Sequence, residues 1–150
     1  MESDHGISVP EVPMAPPSTP TTSSGRIALD GGPGTAARAR RAVRAFMDPR
    51  AGAIRASAGT VELIVSELVT NAVRHAPGPC VLEIEDVDGE VRVTVHDTSP
   101  EHPVRRAGDA YRPSGHGLEL VRSLSTHLLV VDHHDGKAVT ARIRYADGPR

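Results

Sequence analysis

Glu67-Leu68-Val69-Thr70-Asn71-Ala72-Val73-Arg74-His75 can be read in two ways at once. At about 100° per residue, Leu68 and Ala72 continue an apolar stripe begun by Val61, Ile64 and Val65. That spacing predicts a helix opening at Thr60, a good cap, with Glu62 in its first turn and a stop at Pro77-Gly78. On the same helix Glu67, Asn71 and Arg74 fall within roughly 60° of one another, and His75 follows on that side. They lie at the edge of the apolar stripe, where a helix lining a cleft places polar groups. A carboxylate and an amide one turn apart can share a hard cation such as Mg²⁺, or a water on it. Arg74 and His75 could add charge for phosphates. An ordinary solvated face with an i,i+4 pair fits the same spacing.

Downstream, the pattern changes period. In Cys80–Glu85, Leu82 and Ile84 alternate with charged residues; in Glu90–His96, Val91, Val93 and Val95 alternate with Arg92 and Thr94. Both stretches read as strands, and Asp88-Gly89 between them is a hairpin signal. Asp97 ends the second strand, just before Thr98-Ser99-Pro100. An acid in that position could accept a hydrogen bond from an exocyclic amine such as adenine's, or cap a turn. Residues 98–116 form a long polar loop of the kind that usually serves function. Ser114-Gly115-His116-Gly117-Leu118 then leads into a helix over 117–126, with Leu118, Val121 and Leu124 inward. Glycines at a helix start let backbone N–H groups approach a phosphate, and they also make a simple hinge. Leu128–Asp132 and Lys137–Arg144 read as a last hairpin across His133-His134-Asp135-Gly136. Adjacent residues on so tight a turn point apart, which favours a solvated tip over a metal site there.

Upstream, Arg26–Asp30 alternates as a short strand, and Gly31-Gly32-Pro33 break it. Ala36, Ala39, Val43, Phe46 and Met47 recur at helical spacing over 34–48. Arg38, Arg40, Arg41 and Arg44 fill the intervening positions and read as a solvated face. Residues 1–25 are rich in Pro, Ser and Thr, have little to bury, and are expected to be a disordered tail. A folded domain is expected over 26–145, with a flexible end at 146–150. The expected fold is α+β: a two-layer sandwich with a mixed, mostly antiparallel sheet and helices on one face.

Composition narrows the function. The chain has 150 residues, 38% hydrophobic and 24% charged, and suits one globular domain. Aromatic residues are 2%, with no Trp, which argues against base-stacking nucleic-acid modules. A formal net charge of -2 gives no global field for polyanions. The single cysteine, Cys80, excludes an intramolecular disulfide or a Cys-rich zinc site. No apolar run is long enough to span a membrane, and the N-terminus does not read as a secretory signal, so the cytoplasm is the expected compartment.

In their order, SELVTNAVRHA, HDTSPEHPVRR and SGHGLELVRSL resemble the three nucleotide-binding boxes of the GHKL ATPase superfamily, which includes gyrases, histidine kinases and mismatch-repair MutL proteins. The likeness spans about 26–145 and is nearest to the small bacterial anti-sigma factors with serine kinase activity. It implies a GHKL (Bergerat) fold that binds ATP with Mg²⁺. By that resemblance Asn71 would hold Mg²⁺ and Glu67 would act as general base or position the attacking group. Asp97 would read adenine. Ser114, Gly115, His116, Gly117 and Leu118 would wrap the phosphates, with Arg74 and His75 near the phosphate end. The implied partners are an anti-sigma-factor antagonist, which would be phosphorylated, and a sigma factor; family members are often dimers. The chain departs from the superfamily where Asp97-Thr98-Ser99-Pro100-Glu101 stands in place of a glycine-bearing D-x-G-x-G. That departure leaves open a second reading, a non-catalytic protein-binding module with a degenerate nucleotide site.

Overall fold

Two hydrophobic periods, of 2 and of 3.6 residues, can be buried together only if helices lie on a sheet. A computed structural model, which describes residues 22–50, 52–97 and 117–145, shows that arrangement. The elements are β1 (Ser23–Leu29), α1 (Thr35–Met47), α2 (Ala53–Ala56), α3 (Ala58–His75), β2 (Cys80–Val87), β3 (Glu90–Asp97), α4 (Gly117–Leu124), β4 (His127–His133) and β5 (Gly136–Arg144). The sheet order is β1-β2-β3-β5-β4. Among the described residues every pairing is antiparallel, in keeping with the expected, mostly antiparallel sheet. The β2–β3 hairpin is tight: Asp88 and Gly89 take φ of 50 and 77, which a two-residue hairpin turn requires.

The alternation of β2 and β3 sorts their two faces. Leu82, Ile84, Val91, Val93 and Val95 are buried under the helices, together with Ala141 and Ile143 of β5. The other face carries Arg26, Glu83, His96, Arg92, Thr94 and Thr140. It is tied by Arg26–Glu83 at 2.7 Å, His96–Glu83 at 3.1 Å and the Thr94–Thr140 hydroxyl pair at 2.9 Å. α3 is the central helix. Val61, Ile64, Val65, Leu68, Val69 and Ala72 are buried, and α3 packs against α1, α4 and β3.

Some expectations shift. α3 begins at Ala58, so Thr60 lies inside the helix and is not its cap; Ser57 holds the N-cap position and its hydroxyl donates to the Ile54 carbonyl instead. α2 was not foreseen: four residues are too few for a period, and only Ile54 is buried. The arginines of α1 are not simply solvated. Arg44 makes a two-pronged contact with Glu62 at 3.1 Å, and Arg40 donates to the Ser66 hydroxyl at 2.9 Å, so both tie α1 to α3.

Candidate functional site

The C-terminal turns of α3 lie toward the end of the sheet where β1 and β3 finish and β2 and β5 begin. Asp97, the last residue of β3, is buried at 8% exposure. It lies directly opposite Cys80, the first residue of β2. Cys80 is buried and free, and burial with the nearby Asp97 and Asp30 charges pushes its thiol up from the ordinary range. A thiol held protonated in this way is a poor nucleophile, which leaves Cys80 a packing role.

Glu67 and Asn71 are half-buried, one turn apart on the flank of α3, while the residues that follow each of them, Leu68 and Ala72, enter the core. Arg74 is exposed and His75 half-buried in the last turn. Desolvation lowers the His75 imidazole below its ordinary value, and the positive charges of Lys137 and Arg74 lower it further. Lys137 is the only lysine of the chain. It stands second in β5, where the register with β3, ending at His96↔Ala138, brings it alongside Asp97. The sequence reading did not count Lys137 as a site residue. Its lone status was the only signal, because its place beside Asp97 depends on β5 pairing with β3.

Asp30 was likewise not counted. Its carboxylate accepts from the Gly32 N–H at 2.9 Å and pairs with Arg38. The Gly32 hydrogen bond, then the Arg38 charge, hold it below the usual carboxylate range. These contacts fold the turn before α1, whose N-cap Gly34 has no side chain to offer. That turn meets the one after α3: a Cβ on Gly31 would lie 2.0 Å from the Gly78 carbonyl oxygen.

α4 begins at Gly117, and Leu118 is buried in the core, so Leu118 can offer a ligand only backbone. Ser114, Gly115 and His116 lie outside the described residues, as do residues 1–21, 51, 98–113 and 146–150. Among the described residues no three His, Cys, Asp or Glu side chains gather to hold a metal. An amide and a carboxylate on one helix flank fit a different kind of cation site. Mg²⁺ usually takes one or two protein oxygens and completes its shell with water and phosphate oxygens. No helix among the described residues is long and apolar enough to cross a membrane.

Comparison with known proteins agrees with this architecture. The family described as histidine kinase-like ATPase domain matches residues 31–143. Among solved structures, the RsbU and RsbW domains of Rv1364c from Mycobacterium tuberculosis superpose with a TM-score of 0.62 at 21% sequence identity. The match covers 85% of this chain but 34% of that one, so the likeness is one of fold and this chain spans about a third of that protein. No curated protein matches the chain.

Proposed function

This chain belongs to the histidine kinase-like ATPase domain family, and on that premise we propose that it is an ATP-binding regulator of the anti-sigma-factor kinase type. In this reading it transfers phosphate to a serine or threonine of an antagonist protein and holds a sigma factor as its other partner. The observation that carries the proposal is the placement of half-buried Glu67 and Asn71 one turn apart on the flank of α3, the helix that packs on β3, whose last residue is the buried Asp97.

Each side chain has a task that its surroundings suit. Asp97, desolvated and fixed at a strand end, accepts a hydrogen bond from the amino group of adenine. Asn71 would hold Mg²⁺ through its carbonyl oxygen, and the bound ion would supply positive charge against that developing on the transferred group. Glu67, one turn earlier, takes the proton of the attacking hydroxyl. Arg74 and His75 supply donors for phosphate oxygens. The glycines of the Ser114–Gly117 stretch suit a backbone approach to phosphates, and the N-terminus of α4 favours their negative charge.

The test is a calorimetric titration with Mg-ATP, followed by a phosphotransfer assay against antagonist candidates. Asn71→Ala should cost roughly 1.5–3 kcal/mol, the range of a hydrogen bond to a charged group, or about 10- to 150-fold in affinity. Glu67→Gln should leave ATP binding nearly intact and slow transfer by about 10²–10⁴-fold. Mg-ATP binding by Asn71→Ala equal to the parent's would remove Asn71 from the metal. Nucleotide binding without any transfer would favour the module that works by protein contact alone, to which the glycine-free Asp97-Thr98-Ser99-Pro100 segment also points.

A further inference from the structure

The helix-covered face of the sheet changes character at one end. One row in from that end, Ile27, Leu82, Val95, Val139 and Val130 stand in register across β1, β2, β3, β5 and β4, and all are apolar. The terminal row begins in the same way, with buried Leu29 opposite buried Cys80. Asp97 then lies opposite Cys80 on β3. Lys137 follows on β5, one position beyond the His96↔Ala138 pair, and Asp132 of β4 lies opposite Lys137. Alternation puts Lys137 on the same face as buried Val139 and Ala141, and Asp97 on the face of buried Val93 and Val95. Both side chains therefore look toward the helices. After burial, the charge of Lys137 is the next cause that holds the His75 imidazole, at the end of α3, below its ordinary value.

A carboxylate beside an ammonium at the edge of an apolar floor is an ordered pair of acceptor and donor. An ionised carboxylate only accepts, and an ammonium only donates, through three N–H groups. Side chains directly opposite have Cβ atoms about 4.5–5.5 Å apart, so two such heads can meet one flat ligand edge together. With its several N–H groups the ammonium can serve both Asp97, whose buried charge needs a partner, and a ligand. The Watson–Crick edge of adenine presents an exocyclic N–H donor next to N1, a ring nitrogen that accepts. Guanine presents the reverse, a carbonyl oxygen next to an N1–H.

We infer that Lys137 is a base-reading residue of the nucleotide site: Asp97 accepts from the exocyclic amine of adenine while the Lys137 ammonium donates to N1. The inference rests on the nucleotide reading above and adds to it a residue that lies outside all three sequence boxes. The sequence also gives a reason for a donor from β5. After Asp97 the chain runs Thr98-Ser99-Pro100 in place of a glycine-bearing turn, and Pro100 has no N–H. Guanine sets its carbonyl oxygen against the Asp97 carboxylate and its N1–H against the ammonium, so the pair opposes it twice. A site built to hydrogen-bond its ligand discriminates strongly, because a mismatch leaves buried polar groups unpaired. Asp132 is the rival partner for Lys137, but it is exposed, and an exposed ion pair contributes little.

Calorimetric titration of the full chain with Mg-ATP and with the Mg complex of 1-deaza-ATP, which has C–H in place of N1, tests this without an assay of transfer. The parent should bind the deaza analogue about 10- to 150-fold more weakly, the range for a hydrogen bond to a charged group. Lys137→Met keeps most of the stem and removes the donor. It should bind ATP more weakly by a similar factor and no longer separate the two nucleotides, the sign of a direct coupling. Its preference for ATP over GTP should fall by at least about tenfold. A folded Lys137→Met variant that still prefers ATP to the analogue as the parent does overturns the inference and leaves ATP binding in place. A parent that binds neither nucleotide overturns it together with the nucleotide reading. If Lys137→Met does not fold, equal binding of ATP and the analogue by the parent overturns it.

Discussion

His75 ties the candidate site to stability. Burial and the charges of Lys137 and Arg74 hold its imidazole below the ordinary value. The unfolded chain therefore takes up the proton more readily than the folded chain. The contribution of His75 is present in full above the unfolded pKa, near 6.5, and is lost as pH falls through the lower folded value. Thermal midpoints between neutral pH and about pH 5 should drop, and His75→Gln should make that drop shallower. An unchanged slope would assign the acid sensitivity to other groups. Lys137 contributes to the effect although nothing near it in the chain announces it. The places of Glu67, Asn71 and His75 on one helix and of Asp97 at a strand end were legible from periodicity. Lys137 was not, because its position depends on which strand lies beside β3.

Among the elements, the turns at the site end have the least freedom. Gly31, with φ of 78, stands where the chain leaves β1, and its α-carbon faces the backbone of Gly78 after α3. The two turns lock the start of α1 to the end of the helix that bears Glu67 and Asn71. Gly31→Ala should therefore be costly in two ways. Positive φ costs a non-glycine residue roughly 1–2 kcal/mol, and the new methyl would lie 2.0 Å from a backbone oxygen that cannot rotate away. A loss above about 2 kcal/mol in urea unfolding is expected. Gly34→Ala is the control: its φ is 79, but its nearest contact is the end of the Arg38 side chain at 4.0 Å, so only the backbone cost should appear. Equal losses in both variants would show that the turn contact matters little. The sequence marked a break at Gly31-Gly32-Pro33, yet a break does not tell which distant backbone it will meet. α2 stayed unread for a related reason, since its single buried residue, Ile54, makes sense only under the assembled helices.

The whole molecule divides its sheet into two ends with different work. One gathers Asp97, Lys137 and the last turns of α3. The other is a structural clasp. There the Tyr145 hydroxyl donates to Asp86 at 2.5 Å, Arg50 lies 3.5 Å from the same carboxylate and donates to Ser23 at 2.7 Å, and the Arg50 guanidinium sits 3.7 Å over the Phe46 ring. The clasp joins both ends of the domain to the end of α1, and the Tyr145 N–H adds a bond to the Gly89 carbonyl at 3.0 Å. Alternation and helical period foretold the layers, but not this clasp, whose members are distant in sequence. Tyr145→Phe keeps the ring and removes the hydroxyl, leaving Asp86 with Arg50. The loss should be about 1 kcal/mol, which for a domain of this size is about 4 °C in Tm. Nucleotide binding, at the other end, should not change. The same residue sets an alkaline limit. Burial first, then the Asp86 hydrogen bond and charge, push the Tyr145 phenol up to about 12. Its folded pKa lies above its unfolded value near 10, so its contribution is complete below pH 10 and is lost as pH rises toward 12. Tyr145→Phe should unfold less steeply across that alkaline window than the parent. A parallel decline in the two proteins would mean that the Tyr145–Asp86 bond contributes nothing to folding.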